Sequence, residues 1–159
     1  MNNDANLKET LANHLRGGEA YKPLTDILEE IKFKDIATRP KGLPYSFYEI
    51  FYHIWFAQQD ILKYCKEENY KASNWPKEYW PQATGPESED DWETLKKNFF
   101  REREELIDLL LSDQVKLKDP VPSNEKHTIF REFLLLVEHT SYHTGQLLIL
   151  LRHLGNYSS

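Results

Sequence analysis

Glu138-His139-Thr140-Ser141-Tyr142-His143-Thr144-Gly145-Gln146-Leu147-Leu148 lies inside the longest apolar segment of the chain, roughly residues 128–154. His139 and His143 are four residues apart, so on a helix their rings project from one face, one turn above the other. Gln146 falls three positions further along, in the same sector. At about 100° per residue, Leu135, His139, His143, Gln146 and Leu150 form a narrow strip. Leu134, Val137, Leu148 and Leu151 cover the other sides, and a helix apolar nearly all round is expected to be buried. Such a helix carries a polar seam of two imidazoles and an amide. Buried polar groups need partners. A metal ion is one partner that serves both histidines together. Backbone carbonyls, or the rings themselves, are another, and spacing alone leaves both open.

With 159 residues, 40% of them hydrophobic and 29% charged, the chain is expected to be one soluble globular domain spanning 1–159. A formal charge of −6 argues against a nucleic-acid partner, for which a basic patch is expected. No run of about 18 apolar residues suggests a membrane span. The opening Met-Asn-Asn-Asp-Ala-Asn-Leu-Lys-Glu-Thr lacks the basic and apolar regions of a signal peptide. Cys65 is the lone cysteine, which excludes an intrachain disulfide and fits a reducing cytoplasm, the expected location.

Working outward along the chain, residues 5–16 carry Leu7, Leu11 and Leu15 on one side of a short helix, broken at Gly17-Gly18. Residues 19–31 show helical spacing again, as the second part of one kinked helix or a second stacked piece. Ser46 and Glu49 match a capping box opening a helix. Phe47, Ile50, Phe51, Ile54, Ala57, Ile61 and Cys65 form its apolar stripe. His53 sits at the edge of that stripe, an edge shared with Glu49 and Asp60. Between about 67 and 87 turn formers take over, around Asn74-Trp75-Pro76-Lys77-Glu78-Tyr79-Trp80-Pro81. A loop this long implies packing or binding: Trp75 and Trp80 either plug the edge of a bundle or form a lid beside a site. Ser88 is expected to cap the next helix, with Glu89, Asp90 and Asp91 near the positive end of its dipole. That helix runs to about Ser112, with Arg101-Glu102-Arg103-Glu104-Glu105 as a solvated face. Residues 114–124 read as a loop, no strand pattern is evident, and Gly155 is a candidate C-cap for the last helix. The expected fold is all-α, an antiparallel bundle of four main helices.

Of the six histidines, His153 points to a different sector from His143 and is expected at the surface. His127 stands some three turns before His139, about 18 Å along a helix axis, and His14 is beside the glycine break. His53 is therefore the best third partner by depth. Three imidazoles with an open fourth position match a catalytic zinc site, and imidazole also suits nickel, copper and iron. The H-E-x-x-H peptidase motif is excluded, because Thr140 stands where its general-base glutamate would be.

The sequence also resembles the DinB/YfiT-like family of small four-helix bundles. The resemblance begins at Leu15-Arg16-Gly17-Gly18-Glu19-Ala20 and continues through Ser46-Phe47-Tyr48-Glu49-Ile50-Phe51-Tyr52-His53-Ile54. It includes the Trp75–Pro81 loop and ends on His139-Thr140-Ser141-Tyr142-His143-Thr144-Gly145-Gln146, similar to the family's H-x-x-x-H-x-G-Q signature. It implies a divalent metal ion, zinc or nickel first and iron or manganese next, on His53, His139 and His143. Thr144 stands where the family often has a basic residue. The resemblance further implies a metal-dependent enzyme acting on a small molecule, either a transferase using a low-molecular-weight thiol or a hydrolase, and a homodimer. Glu49 is a candidate proton acceptor or ligand-orienting group, with its capping-box role as the alternative reading. Tyr142 is core or pocket wall. The competing functional reading is a non-catalytic dimeric bundle with a structural or vestigial metal site.

Overall fold

The structure is a computed structural model that describes residues 3–157. Residues 1, 2, 158 and 159, part of the expected 1–159 domain, lie outside the described residues. The fold is mostly helical. In chain order it comprises α1 (Asn3–Arg16), α2 (Leu24–Glu30), α3 (Phe47–Lys66), α4 (Glu89–Leu111), a hairpin of β1 (Pro120–Val121) and β2 (Asn124–Thr128), and α5 (Ile129–His153). Single 3-10 turns occur at Phe33–Asp35 and Lys77–Tyr79. α3 lies against α4 and α5, and α1 lies against the same two helices.

The helix starts are written in the sequence. At the head of α3 the Ser46 hydroxyl accepts from Glu49 N at 3.1 Å and the Glu49 carboxylate accepts from Ser46 N at 2.7 Å, completing the capping box. Ser88 and Thr128 cap α4 and α5 through the same type of side-chain bond. Gly155, at φ +67°, ends α5 in the left-handed region that suits glycine. Gly17 and Gly18 adopt φ +88° and +87° and stop α1.

Burial then assembles two apolar clusters. One joins α2 with the first half of α3, the first half of α4 and the last half of α5, around Phe47, Phe51 and Phe99. The other joins α1 with the remaining halves, around Leu106, Phe133 and Leu136. Phe47, Phe51, Phe99 and Phe133 are fully buried, each stabilising the fold by about 1.5–3 kcal/mol.

Between these clusters runs a polar band: Gln58 on α3, Arg103 on α4, Thr140 and Thr144 on α5. Arg103 donates to the Gln58 amide oxygen, to Leu15 O at 2.8 Å and to Thr140 Oγ1 at 3.3 Å, and it lies over the Phe99 ring at 4.9 Å. One guanidinium thus ties all four long helices together. Gln58 in turn donates to Phe99 O at 2.8 Å. Burial pushes the Arg103 pKa down to about 10, still cationic at neutral pH.

Several expectations are corrected here. The run 101–105 is not wholly solvated, since Glu102 and Arg103 are 5% and 4% exposed; the guanidinium goes inward because polar partners from three other helices meet it. Residues 19–31 supply only the seven-residue α2, because two left-handed glycines and Pro23 delay its start. The segment 114–124 contains β1 and leads into β2, whose Asn-Glu-Lys-His-Thr has no apolar alternation to announce a strand. Finally, α5 is not buried all round: Leu134, Leu135, Tyr142 and Ile149 are exposed at 38–67%, because α5 is covered on one side only.

Arg103→Ala leaves the Gln58 oxygen, Thr140 Oγ1 and Leu15 O without their donor, so a loss of about 3 kcal/mol is expected in denaturant unfolding. A loss near zero would show that the guanidinium is not the tie described.

Candidate metal centre

His53 lies in the second turn of α3, the seventh of its twenty residues, and His139 and His143 sit one turn apart on α5. Because α3 packs on α5, the three rings meet, with centroids 4.8 Å (His53–His139), 4.6 Å (His53–His143) and 4.4 Å (His139–His143) apart. One ligand nitrogen from each lies within 4.8 Å of the other two. His53 and His143 are 1% and 7% exposed, and His139 is half-buried.

The outer nitrogens fix which inner nitrogens are free. His53 Nδ1–H donates to the Tyr79 carbonyl at 3.1 Å. His143 Nδ1–H donates to Gln146 Oε1 at 2.6 Å. In a neutral ring each of these bonds leaves Nε2 as a bare lone pair. His139 Nε2 stands 3.0 Å from His53 Nε2, so in the metal-free rings His139 Nε2–H is the donor of that contact. Its Nδ1 is then a buried acceptor with no partner among the described residues. Such an orphan is costly, but the fit to an ion rests on the facing Nε2 atoms of His53 and His139 rather than on this Nδ1. Two nitrogens bound to one ion at about 2.0–2.1 Å stand roughly 3 Å apart, the separation that His53 and His139 already have.

Electrostatics agree with that chemistry. Burial pushes His53 down to about 4 and His139 down to about 3, with neighbouring imidazoles adding to both shifts. Burial lowers His143 as well. The rings are therefore neutral at pH 7, the state a metal ligand requires.

The Trp75–Pro81 loop closes over the cluster. Trp80 stacks on His53 at 4.1 Å with planes 2° apart, and Tyr45 stacks on the far face of Trp80 at 4.5 Å. Trp75 is 63% exposed and lies 6.0 Å from His53. The loop therefore both packs, through half-buried Trp80, and borders the site, through Trp75. Beside it a cavity of about 650 Å³ reaches from His139 and Trp75 to His127 and Arg131.

Glu49 is placed away from solvent, with Arg39 forking onto both of its oxygens and Ser46 N on one of them. Burial works to raise its pKa, but the Arg39 and Ser46 hydrogen bonds hold it below the ordinary carboxylate range. Tyr142 is 67% exposed, with its ring edge-on to His143 at 4.8 Å. His153 is exposed on the last turn of α5. His127 belongs to β2 rather than to a helix, bonds Tyr64 Oη at 2.9 Å, and lines the same cavity as His139. The Tyr79 carbonyl escaped sequence reasoning, because a backbone acceptor carries no signal in residue type. Asp60 lies on the His53 edge of α3, where the sequence placed it, and bonds Tyr70 and Tyr79.

Residues 18–147 match the family model of the DinB superfamily, and the chain belongs to that family. Comparison with the curated proteins and with the solved structures gave no match. Among the described residues no helix is long and apolar enough to cross a membrane.

Cys65 is 4% exposed, and burial, with Glu132 nearby, pushes its thiol up to about 12. It is expected to react with a disulfide reagent at pH 8 no faster than the protein unfolds. Rapid stoichiometric labelling of the native protein would contradict this environment.

Proposed function

We propose that this chain is a metal-dependent enzyme of the DinB superfamily, holding a divalent ion on His53, His139 and His143 and acting on a small molecule. The observation that carries the reading is the convergence of three neutral imidazoles, two of them with their Nδ1 atoms already committed to Tyr79 O and Gln146 Oε1. Outer-shell partners of this kind orient ligand rings in metal sites. When bound, the ion lowers the pKa of a coordinated water or thiol toward neutrality and so supplies a nucleophile. Zinc and nickel suit this imidazole donor set first, with iron next; manganese is the remaining candidate that the family likeness carries.

Thiol transfer is the better reading of the reaction, with hydrolysis second. Activating water calls for more help than activating a thiol, whose ordinary pKa is about 8.5 against about 15.7 for water. On the His53 edge of α3, however, both carboxylates are already engaged: Glu49 by Arg39 and Ser46, Asp60 by Tyr70 and Tyr79. Cys65 is buried and protonated, so the thiol must come from outside. Trp80 and Tyr45 shield His53 from solvent, and the adjoining cavity gives a small molecule room to approach His139.

The same reading takes α1, α3, α4 and α5 as an antiparallel four-helix bundle forming one domain. The exposed Leu134, Tyr142 and Ile149 on α5 supply an apolar face for the proposed homodimer, and a cytoplasmic location belongs to the same proposal.

Metal analysis tests the centre. The purified protein is expected to hold about one ion per chain, and His143→Ala to lose it. Gln146→Ala, which frees His143 Nδ1, is expected to weaken binding by about 10–100-fold. Undiminished metal content in His143→Ala would sink the assignment.

A further inference from the structure

The cavity beside the cluster has a wall whose polarity is one-sided. Asp60 lies on α3 seven residues after His53, two turns or about 10 Å along the axis. Tyr70 Oη donates to Asp60 at 2.9 and 3.0 Å, and Tyr79 Oη donates to Asp60 Oδ2 at 2.5 Å. Both phenolic hydrogens are thereby spent on the carboxylate. What the pair of tyrosines and Asp60 still offers the cavity is lone pairs alone, on two phenol oxygens and two carboxylate oxygens. A surface of acceptors only is complementary to a donor carrying several hydrogens.

The charge balance points the same way. Among the described residues no lysine or arginine pairs with Asp60. On the opposite wall Arg131 donates to Glu132, so that wall is already neutralised. The aromatic faces around Asp60 complete the environment, with Tyr64 and Tyr70 rings 4.7 Å apart and Trp75 and Tyr79 rings 4.9 Å apart, all four lining the cavity. Aromatic faces attract cations, and a charge-assisted bond to a carboxylate is about twice as strong as a neutral one.

We propose that Asp60, framed by Tyr70 and Tyr79, binds a primary ammonium group of the small-molecule substrate, setting that group roughly 10 Å from the atom that reacts at the histidine cluster. The proposal deepens the metal-enzyme reading by naming a substrate class, small molecules with a cationic amine, and it rests on that reading only for the cavity's role in catalysis. Asp60 here is a specificity residue: it holds the amine end and takes no part in bond making.

Three probes of equal length, hexylammonium, 1-hexanol and hexanoate, are titrated into the full-length protein as purified and again after chelation, following the Trp75 indole resonance by NMR. Hexylammonium is expected to bind at least tenfold more tightly than hexanol, and hexanoate most weakly, in both preparations. Asp60→Asn keeps the shape and an acceptor for one tyrosine. It is expected to abolish the advantage of hexylammonium while leaving hexanol unchanged, and Tyr70→Phe to reduce that advantage in part. Equal binding of hexylammonium and hexanol, absent hexylammonium binding, or an Asp60→Asn loss shared by both probes would overturn the assignment. Because none of the probes carries a thiol and the chelated protein is included, failure here is separable from failure of the metal centre, which metal content reports alone.

Discussion

His53 and His139 bring their Nε2 atoms to 3.0 Å across the contact of α3 with α5, and burial keeps both rings uncharged there. Placing imidazoles in an apolar interface costs free energy unless each nitrogen finds a partner. Most do: a loop carbonyl serves His53 and an amide oxygen serves His143. The exception is His139 Nδ1, which has no partner among the described residues. The cluster is thus costly as a piece of core and well arranged as a set of ligands. That contrast is the physical basis for reading it as a functional centre.

The rest of the fold holds that arrangement in place. Two apolar clusters grip the ends of the long helices, while the polar band of Gln58, Arg103, Thr140 and Thr144 crosses between them. Thr140 and Thr144 are the immediate chain neighbours of His139 and His143. Arg103 on α4 bonds Thr140 and so ties α5 down beside His139, while the Thr144 hydroxyl is satisfied within α5 by Thr140 O at 2.7 Å. The loop is held by the same site: Tyr79 reaches His53 through its carbonyl and Asp60 through its hydroxyl, and Trp80 stacks between His53 and Tyr45. Cluster, loop and cavity wall form one connected structure.

Much of this was legible in the residues. Ser46, Ser88 and Gly155 announced helix ends through local chemistry that needs no tertiary knowledge. The four-residue spacing of His139 and His143 fixed a shared face, and the depth of His53 on its stripe made it the natural third ring. What escaped depends on contacts made at long range. Arg103 sits in a run of charges that looks solvated, and only partners from α1, α3 and α5 draw it inward. The strand of residues 124–128 lacks alternation because it is a short hairpin at the surface. Seven residues of α2 survive from a longer periodic stretch because Gly17, Gly18 and Pro23 take up the space before it. The partner of His53 is a backbone carbonyl, which no residue type reveals.

X-ray absorption at the metal edge of the zinc-loaded protein reaches the central claim most directly. Three imidazole nitrogens at about 2.0–2.1 Å are expected, with one light-atom ligand completing the shell, and His53→Ala is expected to remove one of the three imidazoles. A shell made of water and carboxylate oxygens, or one unchanged by loss of His53, would show that the three rings converge without holding the ion.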